Sequence, residues 1–159
     1  MIPVRLTREE LTMAAYAGVH RRVDSTLAGF DKNKHALKSD WATDIEGACA
    51  EAAFAKATGQ YWSAHVRSFK APDVGAVHVR STTLANGSLI IRRNDHDDYA
   101  YALVICAAPV FHVVGYIMGF AAKRNFRIRT AVKGEADAWF IPQSALNDPT
   151  HLIVQGEAA

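Results

Sequence analysis

The spacing of apolar residues changes character at Gly59, and this constrains the fold of the chain more than any other feature. Before Gly59 the apolar residues recur at helical intervals. After it they alternate or run in short blocks, the pattern of strands. Thr7-Arg8-Glu9-Glu10 forms a capping box, in which the hydroxyl and the later carboxylate serve each other's backbone donors. Leu11, Ala14, Ala15, Val19, Val23 and Leu27 then recur at helical spacing to about Ala28 in a first helix that Gly29 stops. A polar, basic loop from Phe30 to Asp40 follows. A second box, Thr43-Asp44-Ile45-Glu46, opens a helix of small residues that ends at Thr58-Gly59.

Beyond Gly59, Tyr61 to Phe69 reads as a strand, Pro72-Asp73-Val74-Gly75 as a turn, and Val77 to Thr82 as an alternating strand. Asn86-Gly87 predicts a hairpin whose returning strand is Leu89 to Arg92. Asn94 to Asp98 reads as a solvated acidic loop, without the spacing or closing glutamate of an EF-hand. Tyr101 to Ala122 is apolar but broken by Pro109, His112, Gly115 and Gly119, so it reads as two buried strands rather than a membrane span. Trp139 to Pro142 is a short strand and Gln143 to Asn147 a short helix. With no repeat, linker or low-complexity segment, residues 1–159 are expected to form a single α/β domain, with two N-terminal helices packed on a mixed, mostly meandering sheet.

The chemistry of the composition narrows the setting. The first ten residues contain no apolar h-region, so no signal peptide is expected. Cys49 and Cys106 lie far apart in apolar surroundings and lack zinc-site spacing; they could form a disulfide but read better as buried free thiols in a reducing cytoplasm. Net charge is only +2, but basic residues cluster at Lys32, Lys34, His35 and Lys38, at Arg92 and Arg93, and at Lys123, Arg124, Arg127 and Arg129. Such clusters are either solvated faces or supports for a phosphate backbone. Trp41, Tyr61, Trp62 and Trp139 could stack on bases or pack in the core.

One constellation carries a chemical reading. Glu51 sits among Gly47, Ala48, Phe54 and Ala55 on its helix face, where a carboxylate is costly unless it pairs with a cation. Glu51 therefore binds a metal, makes a buried salt bridge, for example to an arginine, or is turned by the helix to solvent. Glu46 is about 140° away around the helix and belongs to the capping box instead. Asp73 is a turn residue by composition, but the strand after it presents His78 and Arg80 on one face and Val77 and Val79 on the other.

In order and alternation these residues resemble the PD-(D/E)XK nuclease superfamily, particularly its phage-type, Holliday-junction-resolvase-like members. Gly47 to Glu51 is similar to that family's Gly-x-x-x-Glu, Pro72-Asp73 to its Pro-Asp, and His78-Val79-Arg80 falls where it has (Asp/Glu)-x-Lys. The resemblance spans about Trp41 to Val104 and implies a restriction-endonuclease-like core. It also implies a catalytic set of Glu51, Asp73, His78 and Arg80, with the first three holding Mg²⁺ or Mn²⁺. His78 in place of a carboxylate favours the softer ion, and Arg80, always protonated, would stabilise phosphate charge rather than act as a base. Lys32, Lys34, Lys38, Arg92, Lys123 and Arg124 would then hold nucleic acid, DNA ahead of RNA, in the cytoplasm of a host cell. The alternative is an inactive nuclease-fold protein, a phage accessory factor that binds nucleic acid or a host protein.

Overall fold

The computed structural model describes residues 1–29, 40–64, 71–129 and 137–154. The elements run β1 (Ile2–Arg5), α1 (Arg8–Leu27), α2 (Asp40–Thr58), β2 (Val77–Thr82), β3 (Leu89–Arg92), β4 (Ala100–Ala107), β5 (Val110–Met118), α3 (Gly119–Asn125) and β6 (Ala138–Ile141). Two 3₁₀ turns, Gln143–Ala145 and Pro149–Leu152, follow. The architecture is α/β, with a mixed four-stranded sheet in the order β1-β5-β4-β2. Among the described strands of this sheet, β2 and β4 run parallel and the other neighbours antiparallel. No described helix is long and apolar enough to cross a membrane.

The alternation of β2 and the all-apolar run of β4 explain why this sheet is covered on both sides. Val77, Val79, Ala102 and Val104 face α2 together with Phe54, Ala50 and Phe111. Tyr101, Leu103 and Ile105 face the opposite way and pack with Leu89, Ile91 and Ile141 of a second, two-stranded sheet formed by β3 and β6. Cys49 and Cys106 are buried and free, and burial pushes the Cys49 thiol up to about 11.

Three expectations need correction. The chain turns one step earlier than expected, at Leu84 to Gly87, with the Gly87 N–H donating to Leu84 O at 3.0 Å, and no hairpin closes there. β2 pairs with β4, while β3 crosses to the second sheet and pairs with β6. A turn sets the local reversal; the choice of partner follows from which apolar face each strand must bury. The second capping box does not open α2, which already begins at Asp40. Buried Arg22 pairs there with Asp40 at 2.9 Å and with Asp44 at 3.8 Å, two carboxylates one turn apart on one face.

Residues 61–64 form no strand, and 65–69 lie outside the described residues. Tyr61 is left exposed while Trp62 turns inward toward Glu51. The loop from Asn94 to Asp98 is largely exposed, as expected, and it is also tied down by ion pairs and hydrogen bonds. Asp95 accepts from the Arg92 N–H and the Arg80 guanidinium, Asp97 pairs with Lys123, and the Lys123 ammonium also donates to the Asp95 carbonyl.

In α1 the capping box is present as expected, and the large apolar residues Val23 and Leu27 face outward. The buried positions are Ala14, Ala17, Gly18, Arg22 and Ser25. Small residues line this inner face because the α1 and α2 backbones nearly touch. A Cβ built on Gly18 would lie 2.5 Å from the Ile45 Cα. This close approach brings Arg21 of α1 within reach of Glu51 of α2.

Candidate functional site

The site is assembled at the edge of the main sheet, where β2 is the last strand. Glu51 projects from α2 on the helix-covered side and is almost fully buried. Both of its oxygens are engaged. Arg21 donates two parallel hydrogen bonds, Nη1 to Oε1 at 2.6 Å and Nη2 to Oε2 at 2.7 Å, and the Trp62 indole N–H donates to Oε2 at 2.9 Å. Forked pairing of this kind is among the strongest charge-assisted contacts.

The electrostatics agree with a strained but satisfied pair. Burial raises the Glu51 pKa above the ordinary carboxylate value. The Arg21 hydrogen bond opposes this, the negative charge of Asp73 adds to it, and the net direction is upward. For Arg21, burial works to lower the pKa, but the Glu51 bond and the charges of Glu51, Asp73 and Asp44 outweigh it and hold the guanidinium charged. Asp73 therefore lies within the electrostatic reach of both Glu51 and Arg21.

A testable pH dependence follows. Because the folded-state pKa of Glu51 is raised, the native chain holds this proton to higher pH than the unfolded chain. The stability contributed by Glu51 is complete below the unfolded pKa and is lost as pH rises through the folded one. Melting temperatures of the native chain and of Glu51→Gln, taken from pH 4 to 8, should diverge: the native chain loses stability relative to the variant with rising pH. A constant offset between the two would show that Glu51 has no raised pKa.

Asp73 occupies the turn before β2. Its backbone N–H donates to Val77 O at 3.0 Å, and its Oδ2 accepts the Val79 N–H at 2.7 Å, a donor the edge strand would otherwise leave unpaired. Gly75, at φ 56°, makes the turn tight enough for this. His78 Nδ1 lies 3.6 Å from the same Oδ2.

His78 and Arg80 are on the far side of the sheet from Glu51. His78 stacks on Tyr101, its register partner in β4, at 5.2 Å, and meets Tyr99 edge-on at 5.1 Å. Arg80 lies over the Tyr101 ring at 5.5 Å and pairs with Asp95 at 2.9 Å. The Tyr101 hydroxyl, pushed up to about 12 by burial and by Asp95, donates to His96 O.

The structure thus brings Asp73 close to Glu51 on one side and to His78 on the other. Arg80 sits apart, beside Asp95. Among the described residues no three His, Cys, Asp or Glu side chains group as metal ligands. The donor set also does not fit a divalent cation in this conformation. Both Glu51 oxygens carry donors, and one Asp73 oxygen is committed to the backbone.

Of the basic residues, Lys123 is an internal staple, bonded to the loop carbonyls of Arg93 and Asp95 and set over Trp139. Arg92 and Arg124 are exposed. Lys32, Lys34 and Lys38 lie outside the described residues. The residues that sequence reasoning missed are Arg21, Trp62 and Asp95. Arg21 lies thirty positions from its partner, and no local pattern marks it. Comparison with protein-family models, with curated proteins and with solved structures finds no match to this chain.

Proposed function

We propose that this chain is a nuclease-like protein with a restriction-endonuclease-like core that binds DNA through its basic surface, its carboxylate site being closed by Arg21. The observation that carries this reading is the forked Arg21–Glu51 pair, in which a guanidinium takes the place beside the first carboxylate that a metal would need. Support for a phosphate partner comes from the second sheet. Arg92 is in register with Ala138, and Ala138 bridges to Arg129, so the two arginines flank one backbone position on the same face. Arg124 and Arg127 are exposed nearby in sequence. Duplex-directed binding of this kind is electrostatic and falls steeply with salt.

A metal-dependent deoxyribonuclease using Glu51, Asp73 and His78 with Mg²⁺ or Mn²⁺ is the second reading. It is favoured by the reach of Asp73 to both neighbours, at the positions where the resemblance puts metal ligands.

One set of measurements separates the two. Labelled linear, single-stranded and branched DNA, and RNA, are titrated with the chain over a range of salt, and cleavage is followed with Mg²⁺ and with Mn²⁺. The expected result is salt-sensitive binding to DNA without cutting, unchanged by Asp73→Ala. Arg92→Ala and Arg124→Ala should each reduce the salt slope by about 1. Metal-dependent cutting abolished by Asp73→Ala and by Glu51→Ala would establish the second reading instead. Neither binding nor cutting would overturn both and leave a protein partner as the remaining role.

A further inference from the structure

The two N-terminal helices touch at Gly18, where an added Cβ would lie 2.5 Å from the Ile45 Cα. Toward the start of α1 the contact is not continued. Ala15 and Leu11 of α1 and Cys49 of α2 are too small or too short to fill the space above the sheet, and a cavity of about 330 Å³ remains. Cys106 of β4 and the fully buried ring of Phe111 of β5 close it from the sheet side. The Cys106 thiol donates to Glu46 O at 3.8 Å, which ties the sheet wall to the α2 wall. Ala108 is exposed and Leu11 and Ala15 are half-buried, so the cavity reaches the surface between the start of α1 and the β4–β5 turn. None of its described lining residues belongs to the Arg21–Glu51 site.

We propose that this cavity is a binding site for a small, neutral, two-ring aromatic molecule. Its volume falls in the range of small-molecule sites and is about twice the roughly 150 Å³ that takes up benzene, which sets the size of the occupant. Sugars, nucleotides and peptide backbones need several convergent polar groups, and the described lining offers alkyl groups, a phenyl ring and two thiols instead. Sulfur and the Phe111 ring both favour the edge and face of an aromatic ring over a saturated chain. Glu46 alone among the described lining residues carries a charge, and its sign opposes carboxylates such as fatty acids. The site is preformed, because the helix crossing at Gly18 and the Cys106–Glu46 contact hold its walls apart without the ligand.

Calorimetric titration of the full chain with naphthylmethanol should show one site with a Kd of roughly 10–500 µM. Naphthoate has the same rings with a carboxylate and should bind about tenfold more weakly or worse. Ala15→Phe fills the cavity from α1 and Cys49→Met fills it from α2. Each should abolish the binding while leaving the melting temperature of the free chain unchanged or raised, because the added atoms enter empty space. A third readout needs no variant. Saturating naphthylmethanol should slow the reaction of Cys49 and Cys106 with methyl methanethiosulfonate in the native chain, followed by peptide mass. No heat of binding up to about 1 mM, equal or tighter binding of naphthoate, binding that survives either folded filling variant, or unchanged thiol reaction rates would each overturn the proposal.

Discussion

Arg21→Ala should destabilise the chain by about 3–5 kcal/mol, the usual cost of removing one partner from a buried ion pair. Arg21 supplies two of the three hydrogen bonds to Glu51, and the carboxylate cannot turn to water from its buried place on α2. Against a total of about 5–15 kcal/mol for a typical domain, this is a large share. The effect should depend on pH in a definite direction. Without the guanidinium, nothing but the Trp62 indole opposes burial, so Glu51 holds its proton to still higher pH. Neutral Glu51 tolerates burial, so the variant should approach the native chain in acid and fall away as pH rises. Glu51→Gln combined with Arg21→Ala should recover much of the loss, because no unpaired charge remains buried. Chemical denaturation at pH 4.5 and pH 7.5 checks both points; equal, small losses for Arg21→Ala at the two values would show that the pair is not holding the site.

Phe54→Ala is expected to cost about 3–5 kcal/mol and to lower the melting temperature by roughly 10 °C. Phe54 is fully buried, one turn beyond Glu51, and packs among Ala50, Val79, Ala102, Val104 and Phe111 where α2 meets the sheet. That layer is otherwise built mostly of alanine and valine, and small neighbours cannot close over a cavity the size of a phenyl ring. The loss should be nearly independent of pH between 5 and 8, in contrast to Arg21→Ala, because no titrating group is exposed or unpaired by it. Calorimetry distinguishes the two mutants by this contrast alone. A change below 1 kcal/mol would mean that α2 is anchored elsewhere.

Much of the secondary structure is determined locally and was legible. The Thr7 box, the stop at Gly59, the alternation of Val77 to Thr82 and the apolar blocks that become β4 and β5 each rest on contacts within a few residues. The nearness of Asp73 to β2 is of the same kind, because Asp73 accepts the Val79 N–H only six positions along the chain. That an ionised Glu51 on this apolar face would be costly if buried without a cation also follows from its neighbours, but its burial does not. β1 escaped notice because four residues with a proline carry too little pattern, and its place as an edge strand beside β5 depends on a partner a hundred positions away.

What the tertiary structure decided is which groups meet. Local chemistry could not choose between a metal and an arginine for Glu51; the close approach of α1 to α2 at Gly18 chose Arg21. A turn at Leu84 to Gly87 could not specify its strand's partner; the need of Leu89 and Ile91 to bury against the far face of β4 sent β3 into a second sheet. The apolar stripe of α1 was visible as spacing, but spacing does not say which face a helix turns to the core. Small residues permit two backbones to touch, and that close packing left Met13, Tyr16, Val23 and Leu27 facing outward.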